Sequence, residues 1–403
     1  DGPLMEPMNP TRIADTREKT SATVGTTYDG IGEGNGPVVP GTPLVVQVGG
    51  RAGVPMSATA VSLNVTATEA EGLGYFTIWP CDTDKPVASS INFDAGQNIA
   101  NSIVVPTAAD GTVCIEAGVS AADVVVDVTA WSAASDAYTS LVPARLLDTR
   151  PPLSPTVGTT IDGASQGQGV LEPDTRLVLP VAGRGGVPAD AVAVAINLTA
   201  TEAAGPGYVT AWPCDADEPV ASTLNYADPR ALANSVVVPL AEDGSLCLET
   251  GVSGTHLVAD VTGAFAASDD FGGLVPARLM DTRPETSPTS GVTVDGLQQG
   301  TGPLAAGSHV ELQVVGRGGD GNAVPADART VALNVTSTGA AGAGFLTAWP
   351  CDQERPTASS VNYLTADPVA NSIIVALSAE GTVCIYAGVA STDVVVDVTS
   401  YFK

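Results

Sequence analysis

The sequence predicts an all-β protein: three tandem homologous β-sandwich-like or small-barrel domains, each closed by one disulfide. Three observations carry this. A strand-like phrase occurs three times, at 60–68, 193–201 and 330–338. In its first copy Val61, Leu63 and Val65 alternate with Ser62, Asn64 and Thr66, the period-two pattern of a strand with one face buried. Six cysteines form three pairs of equal separation, 33 residues: Cys81 with Cys114, Cys214 with Cys247, and Cys351 with Cys384. Finally, no amphipathic helical stripe appears, and short apolar runs are divided by Gly- and Pro-containing turns. With 403 residues the chain is about three domains long, which places the units at 1–133, 134–268 and 269–403.

Each unit opens on one phrase, Pro10–Arg17, then Pro143–Arg150, then Pro276–Arg283, in which the arginines Arg12, Arg145 and Arg278 recur every 133 residues. A polar loop follows, with tight turns at Asp29-Gly30, Asp162-Gly163 and Asp295-Gly296. Next come a short apolar strand beginning at Leu44, Leu177 or Val310 and a glycine turn carrying Arg51, Arg184 or Arg317. The third copy adds a small insertion around Asp320-Gly321-Asn322, which shifts later landmarks and marks an exposed loop. After the organising strand comes a Gly-aromatic strand, Gly74–Cys81 and its counterparts at 207–214 and 344–351, with a proline that ends its ladder. Short strands then carry Asn92, Asn225 or Asn362 and begin at Asn101, Asn234 or Asn371; the last strand carries Asp127, Asp260 or Asp397.

Cysteine spacing without CxxC or neighbouring histidines argues for disulfides over zinc, and disulfides imply an oxidising, extracellular compartment. Sixteen basic and 44 acidic residues give a formal charge of −28, a surface that repels nucleic acid and anionic membrane. No apolar run approaches the ~20 residues of a membrane span. Asp1 is not preceded by a secretory leader, so the chain reads as mature or trimmed.

Nine of the sixteen basic residues occupy repeated slots. A carboxylate within a nearly apolar strand needs a partner, and the planar guanidinium suits it. Arg12, Arg17 and Asp127 are therefore expected to form a structural clasp, as are Arg145, Arg150 and Asp260, and Arg278, Arg283 and Asp397. Aromatic faces beside amides make a plausible carbohydrate platform: Tyr75, Trp79 and Asn92; Tyr208, Trp212 and Asn225; Trp349 and Asn362. The tryptophans serve equally as core residues. Asn101, Asn234 and Asn371 read as ligands of strand ends and turns. Asn64, Asn197 and Asn334 each open a glycosylation sequon, which strand alternation explains without glycan. The turns holding Asp82 and Asp84, Asp215 and Asp217, and Asp352 and Glu354 are candidates for calcium; no other cofactor is expected. HExxH and P-loop motifs are absent, and the only two histidines, His256 and His309, do not recur, so the chain does not read as an enzyme.

With these motifs in view, the sequence resembles a repeated β-domain of secreted actinobacterial proteins. Its members show a PxRxxDTR opening, LNVT, GYxTxWP, SxLN, AN and a closing DVxGYF. They correspond here to Pro10–Arg17, Leu63–Thr66, Gly74–Pro80, Asn92, Ala100-Asn101 and Asp127 onward, with Tyr401-Phe402 closing copy three. Trp131 and Ala264-Phe265 depart from the closing aromatic pair. In that family such modules often accompany cell-wall hydrolases; no hydrolase segment is present, so that activity is not carried over. The resulting expectation is a secreted cell-surface structural or adhesion protein that contacts cell-wall or extracellular polysaccharide, with self-association an open partner. The alternatives are a subunit of an extracellular filament or coat, and a glycoside or peptidoglycan hydrolase.

Overall fold

In the computed structural model, which describes residues 4–154, 157–227, 229–286, 290–319 and 322–403, the regular elements are strands and no helix occurs among the described residues. The first repeat contains β1 (Glu6–Asp15), β2 (Leu44–Gln47), β3 (Ala60–Thr68), β4 (Gly74–Pro80), β5 (Ile91–Phe93), β6 (Ile99–Pro106), β7 (Thr112–Gly118) and β8 (Asp123–Ser132). The same eight strands recur in the same order across 138–266 and 271–402. Asp320 and Gly321 of the third-copy insertion lie outside the described residues.

Each repeat folds into two four-stranded sheets, ordered β1-β8-β3-β6 and β2-β7-β4-β5 in the first. All pairings between these strands are antiparallel. The cysteines pair as the spacing predicts, Cys81–Cys114, Cys214–Cys247 and Cys351–Cys384, one bridge in each repeat. The bridge joins neighbouring strands, because Trp79, two residues before Cys81, lies opposite Cys114.

The architecture corrects the expected three β-sandwich-like or small-barrel domains. Among the described residues there are six blade-sized sheets of four strands, and none closes on itself. The repeats also share a centre. Ala60, Val104 and Ala130 of the first repeat meet Ala193, Val237 and Phe265 of the second and Ala332, Ile374 and Phe402 of the third in one apolar cluster. Phe265 stacks on Phe271 at 4.6 Å, and Phe402 lies within 5.8 Å of both.

The shared centre explains a second correction. The alternation of β3 predicts one buried face, yet all nine of its residues are buried. Val61, Leu63 and Val65 face the core that the two sheets of the repeat enclose together. On the other face, Asn64 is covered by the third repeat, whose Ser359 carbonyl accepts its amide at 2.6 Å. Polar residues on that face thus mark a contact between repeats, not a solvent face.

Candidate functional site

Two polar seams run between the repeats. The inner seam is a closed circuit of six asparagines, each 3% exposed or less. Nδ2 of Asn101 donates to Oδ1 of Asn197 (2.9 Å), that of Asn234 to Asn334 (2.8 Å), and that of Asn371 back to Asn64 (2.9 Å). The acceptor ends are used as well. Oδ1 of Asn101 accepts the backbone N–H of Ser235, that of Asn234 accepts Ser372, and that of Asn371 accepts Ser102. Those N–H groups belong to β6 and its counterparts, the outermost strands of their sheets. Unpaired edge groups would otherwise remain buried there at a cost. In the opposite direction, Nδ2 of Asn64, Asn197 and Asn334 donates to the carbonyls of Ser359, Ser89 and Ser222 in the preceding repeat. The sequon asparagines are therefore buried and engaged. The turn role expected for Asn101, Asn234 and Asn371 covers only one of their bonds, to the carbonyls of Ser90, Thr223 and Ser360.

Outside this circuit lie the arginines of the opening phrase. Nε of Arg12 donates to Asp127 at 3.0 Å, and Arg145 and Arg278 meet Asp260 and Asp397 at 2.9 Å. Burial pushes these three carboxyls above the usual aspartate range, against the pull of their arginines. Arg17, Arg150 and Arg283 are placed differently. They fork onto Asp15, Asp148 and Asp281 two residues earlier. Those aspartates, fully buried, also accept the N–H of Gly25, Gly158 or Gly291 and so pin the following loop. A third ion pair escaped the sequence reading although both halves of it repeat. Arg51, Arg184 and Arg317 grip the turn carboxylates Asp29, Asp162 and Asp295 through Nε and Nη2. The arginine hydrogen bonds lower those carboxyls, Asp162 to about 2.

The aromatic platform is rearranged. Trp79, Trp212 and Trp349 are at most 5% exposed. Their indole N–H groups donate to the carbonyls of Thr83, Ala216 and Gln353. They are core residues and leave the candidate surface. Tyr75 and Tyr208 remain partly open, and Phe345 takes their place in the third repeat. Each ring lies flat on a glycine: a Cβ at Gly118, Gly251 or Gly388 would fall 2.1–2.3 Å from it. Directly across the strand pair from these rings stand Asn92, Asn225 and Asn362. The Nδ2 atoms of these three asparagines are buried without a hydrogen-bond partner among the described residues. So are Oγ1 of Thr199 and Thr336 on the facing repeats.

The outer seam opens into clefts. Between the first and third repeats a cavity of about 290 Å³ is lined by Arg12, Arg17, Thr66, Phe345, Arg355 and Asn362. Between the second and third, one of about 240 Å³ is lined by Glu218, Val220 and Arg278. Arg145 of the second repeat lies near Tyr75 of the first, so the third seam brings the same two elements together.

Among the described residues no cluster of three or more His, Cys, Asp or Glu side chains is arranged to hold a metal ion. Asp82, Asp215 and Asp352 of the acidic turns instead accept the N–H of Ala109, Glu242 and Ala379. No helix of the described residues is long and apolar enough to cross a membrane.

No family model and no curated protein matches the chain. Among solved structures, one described as the triple jelly roll fold and turret assembly in an archaeal virus aligns at 9% identity, over 98% of this chain and 91% of the other, with a TM-score of 0.21. Another, the N-terminal CBM22-1–CBM22-2 tandem domain of Xyn10C from Paenibacillus barcinonensis, aligns at 13% identity, over 67% of this chain and 99% of the other, with a TM-score of 0.19. Likeness at that level carries no argument about activity.

Proposed function

We propose that this is a secreted cell-surface structural or adhesion protein that grips extracellular polysaccharide in the clefts between its repeats. The observation that carries the reading is the recurrence, three times, of a buried amide donor without a partner beside a partly open aromatic ring. A sugar ring stacks on an aromatic face and its hydroxyls accept amide hydrogens, so this pair suits a glycan. The disulfides fit an oxidising, extracellular setting. In this reading the two sheets of each repeat, which enclose one core, act as a sandwich locked into a rigid threefold body. The resemblance to the repeated domain of secreted actinobacterial proteins agrees with such a role. Repetition of one cleft favours multivalent holding over a single catalytic pocket.

Glycan-array binding of the intact chain tests the proposal, alongside the triple variant Asn92→Ala, Asn225→Ala, Asn362→Ala. Binding by the parent that the variant loses is the expected result. An array on which the parent retains nothing overturns the reading, and regular polymers in electron micrographs would then favour the filament or coat.

A further inference from the structure

The three seams are built alike but charged differently. In the first repeat the position is Lys85, paired with Glu116 at 2.7 Å. In the second it is Glu218, with Glu249 in the corresponding place. In the third it is Arg355, and Tyr386 stands where the acid was. The Arg355 guanidinium lies 3.7 Å from the centroid of that ring. Arg355 is exposed and, among the described residues, forms no ion pair. The third repeat thus keeps a cation and replaces its carboxylate by an aromatic shelf, which supports the guanidinium while leaving its edge donors open.

The neighbouring groups follow the same trend. In the cleft between the first and third repeats, Arg12 spends Nε on Asp127 and Nη1 on Asp15 and the Thr23 carbonyl. No hydrogen bond among the described residues uses its Nη2. At the seam between the second and third repeats, the Nη2 of Arg278 donates to the Val220 carbonyl across the seam. One guanidinium edge is tied down there and left open here. Arg12, Arg17 and Arg355 line this cleft, with Asp15 and Asp127 behind them and Glu69 and Asp123 near Arg17, in a molecule of formal charge −28. At the seam between the second and third repeats the position of Arg355 is held by Glu218, a carboxylate in place of the cation.

We infer that the cleft between the first and third repeats takes a carboxylate-bearing sugar, a uronic acid residue of an acidic glycan. Arg355 and Nη2 of Arg12 receive the carboxylate, Asn362 donates to a hydroxyl, and Phe345 supports the ring. The inference rests on the glycan reading above and narrows it to one cleft and one sugar class. A planar guanidinium fork matches a carboxylate through two parallel hydrogen bonds, which a neutral sugar cannot return.

Calorimetric titration of the intact chain with trigalacturonate and with galactotriose tests it. Trigalacturonate is expected to bind with one site per chain, about tenfold or more tighter than the neutral sugar, and less tightly as salt rises. Arg355→Glu is expected to remove that preference. So is Tyr386→Glu, which restores the carboxylate that the first repeat pairs with Lys85. Neither change touches a buried ion pair, so both variants should melt with the parent. Equal affinity for the two sugars, or an Arg355→Glu variant that binds as the parent does, overturns the acidic-sugar assignment while the glycan reading stands. Failure of both sugars together with a blank glycan array overturns the glycan reading and this inference with it.

Discussion

The two seams between the repeats use the same side chain to opposite ends. On the inner seam, Asn64, Asn101, Asn197, Asn234, Asn334 and Asn371 are buried and every amide nitrogen has acceptors. On the outer seam, Asn92, Asn225 and Asn362 keep their amide nitrogens buried and idle. Satisfied polar groups specify one packing, whereas an unsatisfied one costs free energy that a fold tolerates only for another reason. The first set holds the repeats in register; the second set makes no bond that does so, and in the proposed reading it donates to a glycan hydroxyl.

The contrast can be broken most strongly at the inner seam. Asn234→Ala removes donors to Thr223 and Asn334 and the acceptor of the Ser372 N–H at once. Stranding those groups should lower stability by about 3 kcal/mol or more, read as a large fall in Tm. An unchanged melt would show that the circuit is ornamental.

Acid sharpens the comparison next, because the asparagine circuit holds no titrating group while the loop ion pairs do. The Asp162 carboxyl is lowered to about 2 by its bonds to Arg184. A depressed carboxyl adds stability that is complete above its ordinary value near 4 and is lost as pH falls towards 2. The melting temperature of Asp162→Asn should therefore fall less steeply than the parent's between pH 4 and pH 2. Parallel acid limbs would remove the ion pair from the account.

The smallest effect on stability belongs to the outer seam. The triple alanine variant at Asn92, Asn225 and Asn362 breaks no hydrogen bond and relieves three idle donors. Its stability should stay within about 1 kcal/mol of the parent, neutral or slightly raised. A loss as large as that of Asn234→Ala would mean that the two seams do not differ in kind.

Much of this was legible in the chain. Period-two alternation located β3, equal cysteine spacing paired the sulfurs, and a lone carboxylate in an apolar strand called for the arginine that Asp127 has. What escaped has a physical reason. The partner of Asn371 is Asn64, 307 residues away, and an amide carries no mark of which amide it meets. Alternation assigns Ser62, Asn64 and Thr66 to water, because a polar side chain looks the same whether solvent or another repeat covers it. Trp79 and Tyr75 share one face of β4, but only the overlying turn, whose Thr83 carbonyl takes the indole N–H, separates core residue from open ring. The join between Arg51 and Asp29 was readable, since both recur in every copy at a separation of 22 residues.

The circuit of asparagines also closes on itself after three repeats. Each unit offers one hand forward and one back, and the third clasps the first. A chain of two would expose an unfinished rim, and a fourth unit would find no hand to take. Three is thus the number of repeats that satisfies every hand in this ring.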